Sequence, residues 1–246
     1  MAWRDDMDLP TPCRCGHSRV YPPEEPCTEL GLRNHYHFPP FRNLPWLDQM
    51  DETYLSTNHP SGLCWPFRHW AFVGEVTRNC SDLRPRYIVR THYGEDVLVN
   101  YYLDSNEVPA FSFDDVRLGC TLCIMYAEKK VFLDLSTGIR EDDTKSTIVF
   151  PTSLDKVSDE GELLKLASES ATRVCFGCRG GDAVKRCAKC HEAWYCSKDC
   201  QANHWKSSHR KLCPHTQKLR WLVCINFASF NGFLGRGDDA PYNHGA

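Results

Sequence analysis

Across residues 70–150 apolar and polar side chains alternate in short runs, with no sustained spacing of three and four. Alternation places every second side chain on one face of an extended chain, so it predicts half-buried strands. Strands are expected at 70–76, 86–91, 96–103, 119–126, 130–135, 136–139 and 147–150. The step His92-Tyr-Gly-Glu95 suits a hairpin turn, and a second strand pair is expected around Ala127-Glu-Lys129. Two hairpins separated by an irregular crossing at 111–118 read as a small antiparallel β-barrel. The order fits an OB-like barrel, and an SH3-like barrel fits nearly as well.

The alternation stops on both sides. Residues 1–45 carry Pro10, Pro12, Pro22, Pro23, Pro26, Pro39, Pro40 and Pro45, which remove donors and fix φ, so an extended arm is expected. Its aromatics, including Tyr36, Phe38 and Phe41, predict that it lies against the body. Residues 151–172 read as a polar linker with one short helix around Leu163-Leu-Lys-Leu-Ala167. In 216–234 apolar residues recur at three and four, which predicts an amphipathic helix. The chain therefore divides into an arm (1–45), a β-barrel domain (46–150), a linker (151–172), a cysteine-rich module (173–215) and a C-terminal helix with a tail (216–246). The class is α+β.

Charge sharpens this division. The formal net charge is −3, but residues 1–170 hold 17 Lys+Arg against 27 Asp+Glu and residues 171–220 hold 11 against 3. An acidic body thus carries a basic module, a balance that suits acidic-peptide or nucleic-acid contact. No apolar run approaches the roughly 20 residues a membrane helix needs, so no membrane association is expected. The first residues carry Asp5, Asp6 and Asp8 and no apolar run, unlike a signal peptide. The 15 cysteines then read as thiol and zinc chemistry in a reducing compartment, cytoplasmic or nuclear.

The module contains Cys175-x2-Cys178, Cys187-x2-Cys190, Cys196-x3-Cys200 and His209-x3-Cys213. Tetrahedral zinc takes four thiolate or imidazole ligands, and gaps of two or three residues let one turn supply two of them. Four such pairs make two closed sites, so two Zn2+ ions are expected in structural roles. His191 and His204 are spare histidines, His204 being the one substitute for His209. Cys13, Cys15, His17, Cys27, His35 and His37 match no tetrahedral template.

The run Cys175-Phe-Gly-Cys178, Arg186-Cys-Ala-Lys-Cys190, Trp194-Tyr-Cys-Ser-Lys-Asp-Cys-Gln201, His204-Trp205 and His209-Arg-Lys-Leu-Cys213 resembles a MYND-type zinc finger. One residue more separates Trp205 from His209 than in some fingers of that type. Segment 119–142 resembles stretches beside MYND fingers in uncharacterised fungal proteins. The resemblance implies interleaved sites, with Cys175, Cys178, Cys196 and Cys200 on the first zinc and Cys187, Cys190, His209 and Cys213 on the second. Sequential pairing, first four and last four, is the alternative that spacing leaves open. A module this small buries little apolar surface, and interleaving would tie its halves together. The resemblance further implies a protein partner bound through a proline-containing segment, at Gln201 and Trp205 with Ser197 nearby. Phe38-Pro39-Pro40 or Tyr21-Pro22-Pro23 would be competitors in cis.

No catalytic residue is expected. The chain has no Gly-x-Ser-x-Gly, no His-Glu-x-x-His and no phosphate loop, and lacks the cofactor motif of SET-and-MYND methyltransferases. The expected function is a zinc-binding adaptor. The alternative is a nucleic-acid-associated factor whose barrel contacts single strands through Arg78, Arg84, Arg86 and Arg90 with Tyr87, Tyr93, Tyr101 and Tyr102. The body's negative charge opposes that alternative.

Overall fold

The alternating region forms one sheet in a computed structural model, which describes residues 27–57, 65–104, 108–170 and 172–234. A two-residue ladder of β1 (Leu55–Ser56) and β2 (Trp65–Pro66) precedes it. The sheet contains β3 (Ala71–Asn79), β4 (Arg86–Arg90), β5 (Asp96–Tyr101), β6 (Thr121–Met125), β7 (Lys129–Val131), β8 (Thr137–Glu141) and β9 (Thr147–Phe150). Their order is β7-β8-β5-β4-β3-β6-β9. Neighbours are antiparallel except β5 and β8, which run parallel.

This open mixed sheet replaces the expected small antiparallel barrel, OB-like or SH3-like. The β4–β5 hairpin forms as read, with Gly94 at φ 76 in its turn. The second expected hairpin does not. All five residues of β6 are buried, and it pairs with β3 on one edge and β9 on the other. After it, Tyr126 adopts φ 57 and the chain leaves the ladder, so β7 pairs with β8 at the opposite end of the sheet.

The expected linker is mostly helix. α1 spans Leu154–Glu169, and its first free amide, at Leu154, donates to the Glu75 carboxylate on β3 (3.0 Å). Leu154, Val157, Leu163 and Leu164 are buried. α1 packs between a 3-10 turn at Gly31–Arg33 and α4 (Thr216–Cys224). Gly31 has φ 59, and a Cβ there would lie 3.0 Å from the Glu162 amide nitrogen. Only glycine allows that turn to sit on the helix backbone.

The C-terminal helix is shorter than the 216–234 reading. It ends at Cys224, and Ile225 turns to ψ 141. The following aromatics dock on the body, where their hydrophobic contacts and backbone bonds replace helical ones. Phe227 is buried and stacks on His37 at 4.7 Å. Phe230 lies 5.2 Å from His69, and Phe233 lies 5.1 Å from Tyr126. The His69 amide donates to the Phe227 carbonyl (2.9 Å), and the Phe230 amide to the Phe67 carbonyl (3.1 Å). Phe38, Pro39 and Pro40 are buried, so that part of the arm is spent in the core and is no competitor in cis. Tyr21-Pro22-Pro23 lies outside the described residues. Among the described residues no helix is long and apolar enough to cross a membrane.

The β4–β5 turn is joined to α1 by His92, whose Nε2 lies 2.8 Å from the Ser158 hydroxyl. Burial, aided by Arg33, lowers the His92 pKa from 6.5 to about 4, against Asp155 and Asp159. Between those values the unfolded chain binds a proton that the folded chain refuses. Stability therefore rises with pH there, and is lost as pH falls from the unfolded value toward the folded one. Urea unfolding at pH 7 and pH 5 is expected to show wild type losing about 2 kcal/mol more than His92→Gln. Equal losses in the two proteins would remove His92 from the acid response.

Candidate metal centre

The cysteine-rich module is built from tight turns, a two-residue ladder and a broken helix. β10 (Lys185–Arg186) pairs with β11 (Trp194–Tyr195). α2 (Lys198–His204) follows, capped by the Ser197 hydroxyl, which accepts from the Cys200 amide at 3.0 Å. A π-helical turn at Trp205–His209, α3 (Arg210–Leu212) and a 3-10 turn at Cys213–His215 lead into α4. A π turn holds one residue more than an α turn. It thus absorbs the extra residue between Trp205 and His209.

Two tetrads converge. Cys175, Cys178, Cys196 and Cys200 place their sulfurs within 4.8 Å of one another, and Cys187, Cys190, His209 and Cys213 do the same with their ligand atoms. The sites are interleaved, and sequential pairing is ruled out. Spacing within them fits zinc. A tetrahedron with Zn–S of about 2.3 Å puts sulfurs about 3.8 Å apart and a sulfur and nitrogen about 3.5 Å apart. Cys178–Cys196 is 3.7 Å, Cys196–Cys200 is 3.5 Å, Cys187–Cys213 is 3.8 Å, and Cys190 Sγ lies 3.5 Å from His209 Nε2. A disulfide would need about 2.05 Å. The module therefore binds two zinc ions, each by four protein ligands.

The two sites differ in their surroundings. Every ligand of the second is buried, whereas Cys178 in the first is exposed. Backbone amides point at sulfur in both, from Cys196 to Cys175 (3.4 Å) and from Glu192 to Cys190 (3.5 Å). Burial raises the Cys175 thiol, but amides of Cys196, Cys178 and Gly177 and the Cys178 side chain outweigh it and bring it to about 6. Those donors favour thiolate, the form zinc takes. Gly177 is required by space, since a Cβ would lie 2.7 Å from the Cys200 carbonyl oxygen.

One buried neighbour of the second site comes from outside the module. Glu160, on α1, is almost fully buried, and its Oε1 lies 2.6 Å from His209 Nδ1. With Nε2 facing Cys190 and the zinc, Nδ1–H donates to this carboxylate, which orients the ring and raises its basicity. His204 is no zinc ligand of either tetrad. It stacks on His209 at 5.1 Å, lies 2.9 Å from the Tyr195 hydroxyl through Nδ1, and sets Nε2 3.6 Å from Glu160. Sequence spacing gave no sign of Glu160, 49 residues away from its partner.

The residues expected to meet a partner are spread along α2 and the π turn. Ser197 is occupied as the helix cap. Gln201 is half-buried on α2, four residues before Trp205. Trp205 is half-buried, 5.9 Å from the His209 ring, with Lys189 Nζ 5.1 Å above its own ring. Its ring borders a shallow hollow of about 400 Å³ shared with Lys189, Arg210, Cys213 and Pro214. Of the N-terminal cysteines and histidines, Cys13, Cys15 and His17 lie outside the described residues, and His37 is spent on Phe227.

Eight ligands in two interleaved tetrads define a structural two-zinc finger. Residues 175–213 match the MYND finger family, so the chain carries a MYND finger, a zinc-binding protein–protein interaction domain. Programmed cell death protein 2 from Bos taurus is 39% identical over 73 residues, 30% of this chain and 21% of that protein. This chain thus matches about a fifth of that relative. A replication protein A heterotrimer bound to ssDNA contains a chain with a TM-score of 0.23 and 16% identity, covering 36% of this chain and 67% of that one, a likeness too slight to bear on the fold.

Proposed function

We propose that this protein is a non-catalytic adaptor of the cytoplasm or nucleus whose finger captures a partner through a proline-containing segment. The observation that carries the proposal is Trp205, half-buried beside the hollow of about 400 Å³ and one helical turn after Gln201. A proline ring fits against an aromatic face, and the extended backbone of such a segment loses little entropy on binding. Gln201 supplies an amide that can fix the segment's register. Trp205 belongs to neither tetrad, so its loss leaves all eight ligands in place.

Trp205→Ala is expected to weaken partner capture at least tenfold, in line with the roughly 2 kcal/mol an aromatic anchor carries. Affinity capture from extract with wild type and variant, alongside elemental analysis, tests this. Two zinc ions with capture lost support the groove. Zinc lost together with capture would make Trp205 a core residue and move recognition elsewhere.

A second reading, contact with single-stranded nucleic acid, keeps one supporting observation. Arg84 lies 3.9 Å and Arg140 4.5 Å over Tyr102, which stacks on Phe132. Arg78 is exposed, and much of the remaining expected surface is paired or buried within the chain. Tyr87 and Tyr101 are buried, Arg90 pairs with Asp96 (2.7 Å), and Arg86 lies 3.7 Å from Asp134. A steep salt dependence of binding to a labelled single strand would favour this reading.

A further inference from the structure

A cleft of about 860 Å³ opens between the sheet edge at β9 and the helical run leaving the finger. Its floor includes Phe111, Val149 and Leu118, the last 66% exposed. Four cationic residues line it, together with His215, whose pKa is lowered by burial and by Lys218. Arg117 and Lys145 come from the body, and Lys211, His215 and Lys218 from the finger's exit. The last three sit at i, i+4 and i+7, on one face of the helical run. Asp115 is the one acidic residue in the lining.

Two features make this more than a general basic surface. The body is acidic, with 17 Lys+Arg against 27 Asp+Glu over residues 1–170, yet it turns Arg117 and Lys145 toward this cleft. Arg117 donates through Nε to the Asp114 carbonyl (3.2 Å). Lys145 and Lys211 are exposed, and neither forms an ion pair among the described residues. The other feature is β9 itself. Its strand neighbour is β6, and among the described residues no strand covers its outer edge. An uncovered edge is a template for another chain's backbone.

We propose that this cleft takes an extended acidic segment of a partner protein, added as a strand beside β9. Backbone groups of β9 other than the Thr147 amide, which is given to the Thr144 carbonyl (3.1 Å), hold the segment, alternate apolar side chains rest on Leu118 and Val149, and carboxylates on the other side meet Lys145 and Lys211. Strand addition divides affinity and specificity in this way. A nucleic acid has no peptide backbone to continue a sheet, and that is what separates the two occupants, since the acidic body acts on phosphates and carboxylates alike. This surface is separate from the hollow at Trp205, so the finger and body together offer two docking sites.

The test uses the full zinc-loaded chain and a fluorescent peptide of about six residues alternating glutamate and valine, long enough to span the four residues of β9. Saturable binding by anisotropy is expected, weakened at least tenfold by Lys145→Glu combined with Lys211→Glu and unchanged by Trp205→Ala. Both lysines are exposed, and Lys145→Gln with Lys211→Gln provides a milder variant if zinc content falls in the first. A peptide N-methylated at alternate residues should lose binding at least tenfold. The proposal is overturned if the glutamate–valine peptide does not bind, or if N-methylation has no effect. It is equally overturned if an oligothymidylate of equal charge binds as tightly with the same dependence on the two lysines.

Discussion

Cys187→Ser is expected to unfold the finger and to lower the thermal midpoint of the body as well, by about 10 °C or more. Removing one of four ligands opens the second site, and structural zinc is worth about 10–16 kcal/mol to an isolated finger. Were the finger an independent bead, the loss would end there. It does not, because Glu160 sits on α1 with about 1% of its side chain exposed and pairs with His209 at 2.6 Å. Without an ordered finger Glu160 loses His209, and the α1 face that the finger covers opens to water, so the body loses buried contacts as well as the pair. α4, which packs on α1, follows directly on the turn that carries Cys213, so it loses its anchor at the same time. Near-ultraviolet circular dichroism, read with elemental zinc, measures both effects. Body aromatic signals that survive unchanged to the wild-type temperature would show two separable units. Glu160→Gln serves as the milder companion, keeping the fold while weakening zinc at the second site by about 10–100-fold in chelator competition.

Phe227→Ala should produce the opposite pattern, a body destabilised by about 3–5 kcal/mol with both zinc ions retained. Phe227 is 2% exposed and sits among His37 (4.7 Å), Phe38 (5.1 Å) and His69 (6.4 Å). Removing its ring leaves a cavity bounded by side chains already committed elsewhere, His69 to Tyr126 at 2.6 Å and Phe38 to the core. Relaxation around it is therefore limited, which places the cost high in the usual range. Guanidinium unfolding compared with wild type measures it. A loss under about 1 kcal/mol would mean that residues 225–234 rest on the body without completing its core.

How far the sequence could be read depended on whether each feature was local. The ligands Cys175 to Cys213 were legible because each pair lies within one turn, where spacing is geometry. Assigning pairs to ions needed the family resemblance. Glu160 stayed invisible because its contact with His209 joins two elements far apart in the chain. Strands β3 to β6 were legible from alternation, but alternation does not choose partners, so the mixed order with β8 beside β5 was not. Polar Asp159-Glu-Gly-Glu162 made α1 look like linker, although Gly161 is small where the turn at Gly31 and Val223 of α4 approach. In the C-terminal stretch the error ran the other way. Phe227, Phe230 and Leu234 repeat at three and four, the spacing of a helix, while their actual seats lie on the body around His69 and Tyr126.

The seat of Phe227 also sets an order of events on the ribosome. Synthesis delivers β3 to β9 first and the eight zinc ligands next, and only later residues 225–234. At 5–20 residues per second, the interval between Phe150 and Leu234 is roughly 4–17 s. Throughout it, the sheet carries an open aromatic socket around His37, Phe38 and His69. The zinc ligands are synthesised before that socket can close, so until residues 225–234 arrive the nascent body exposes apolar surface that the finished chain covers with its own aromatics.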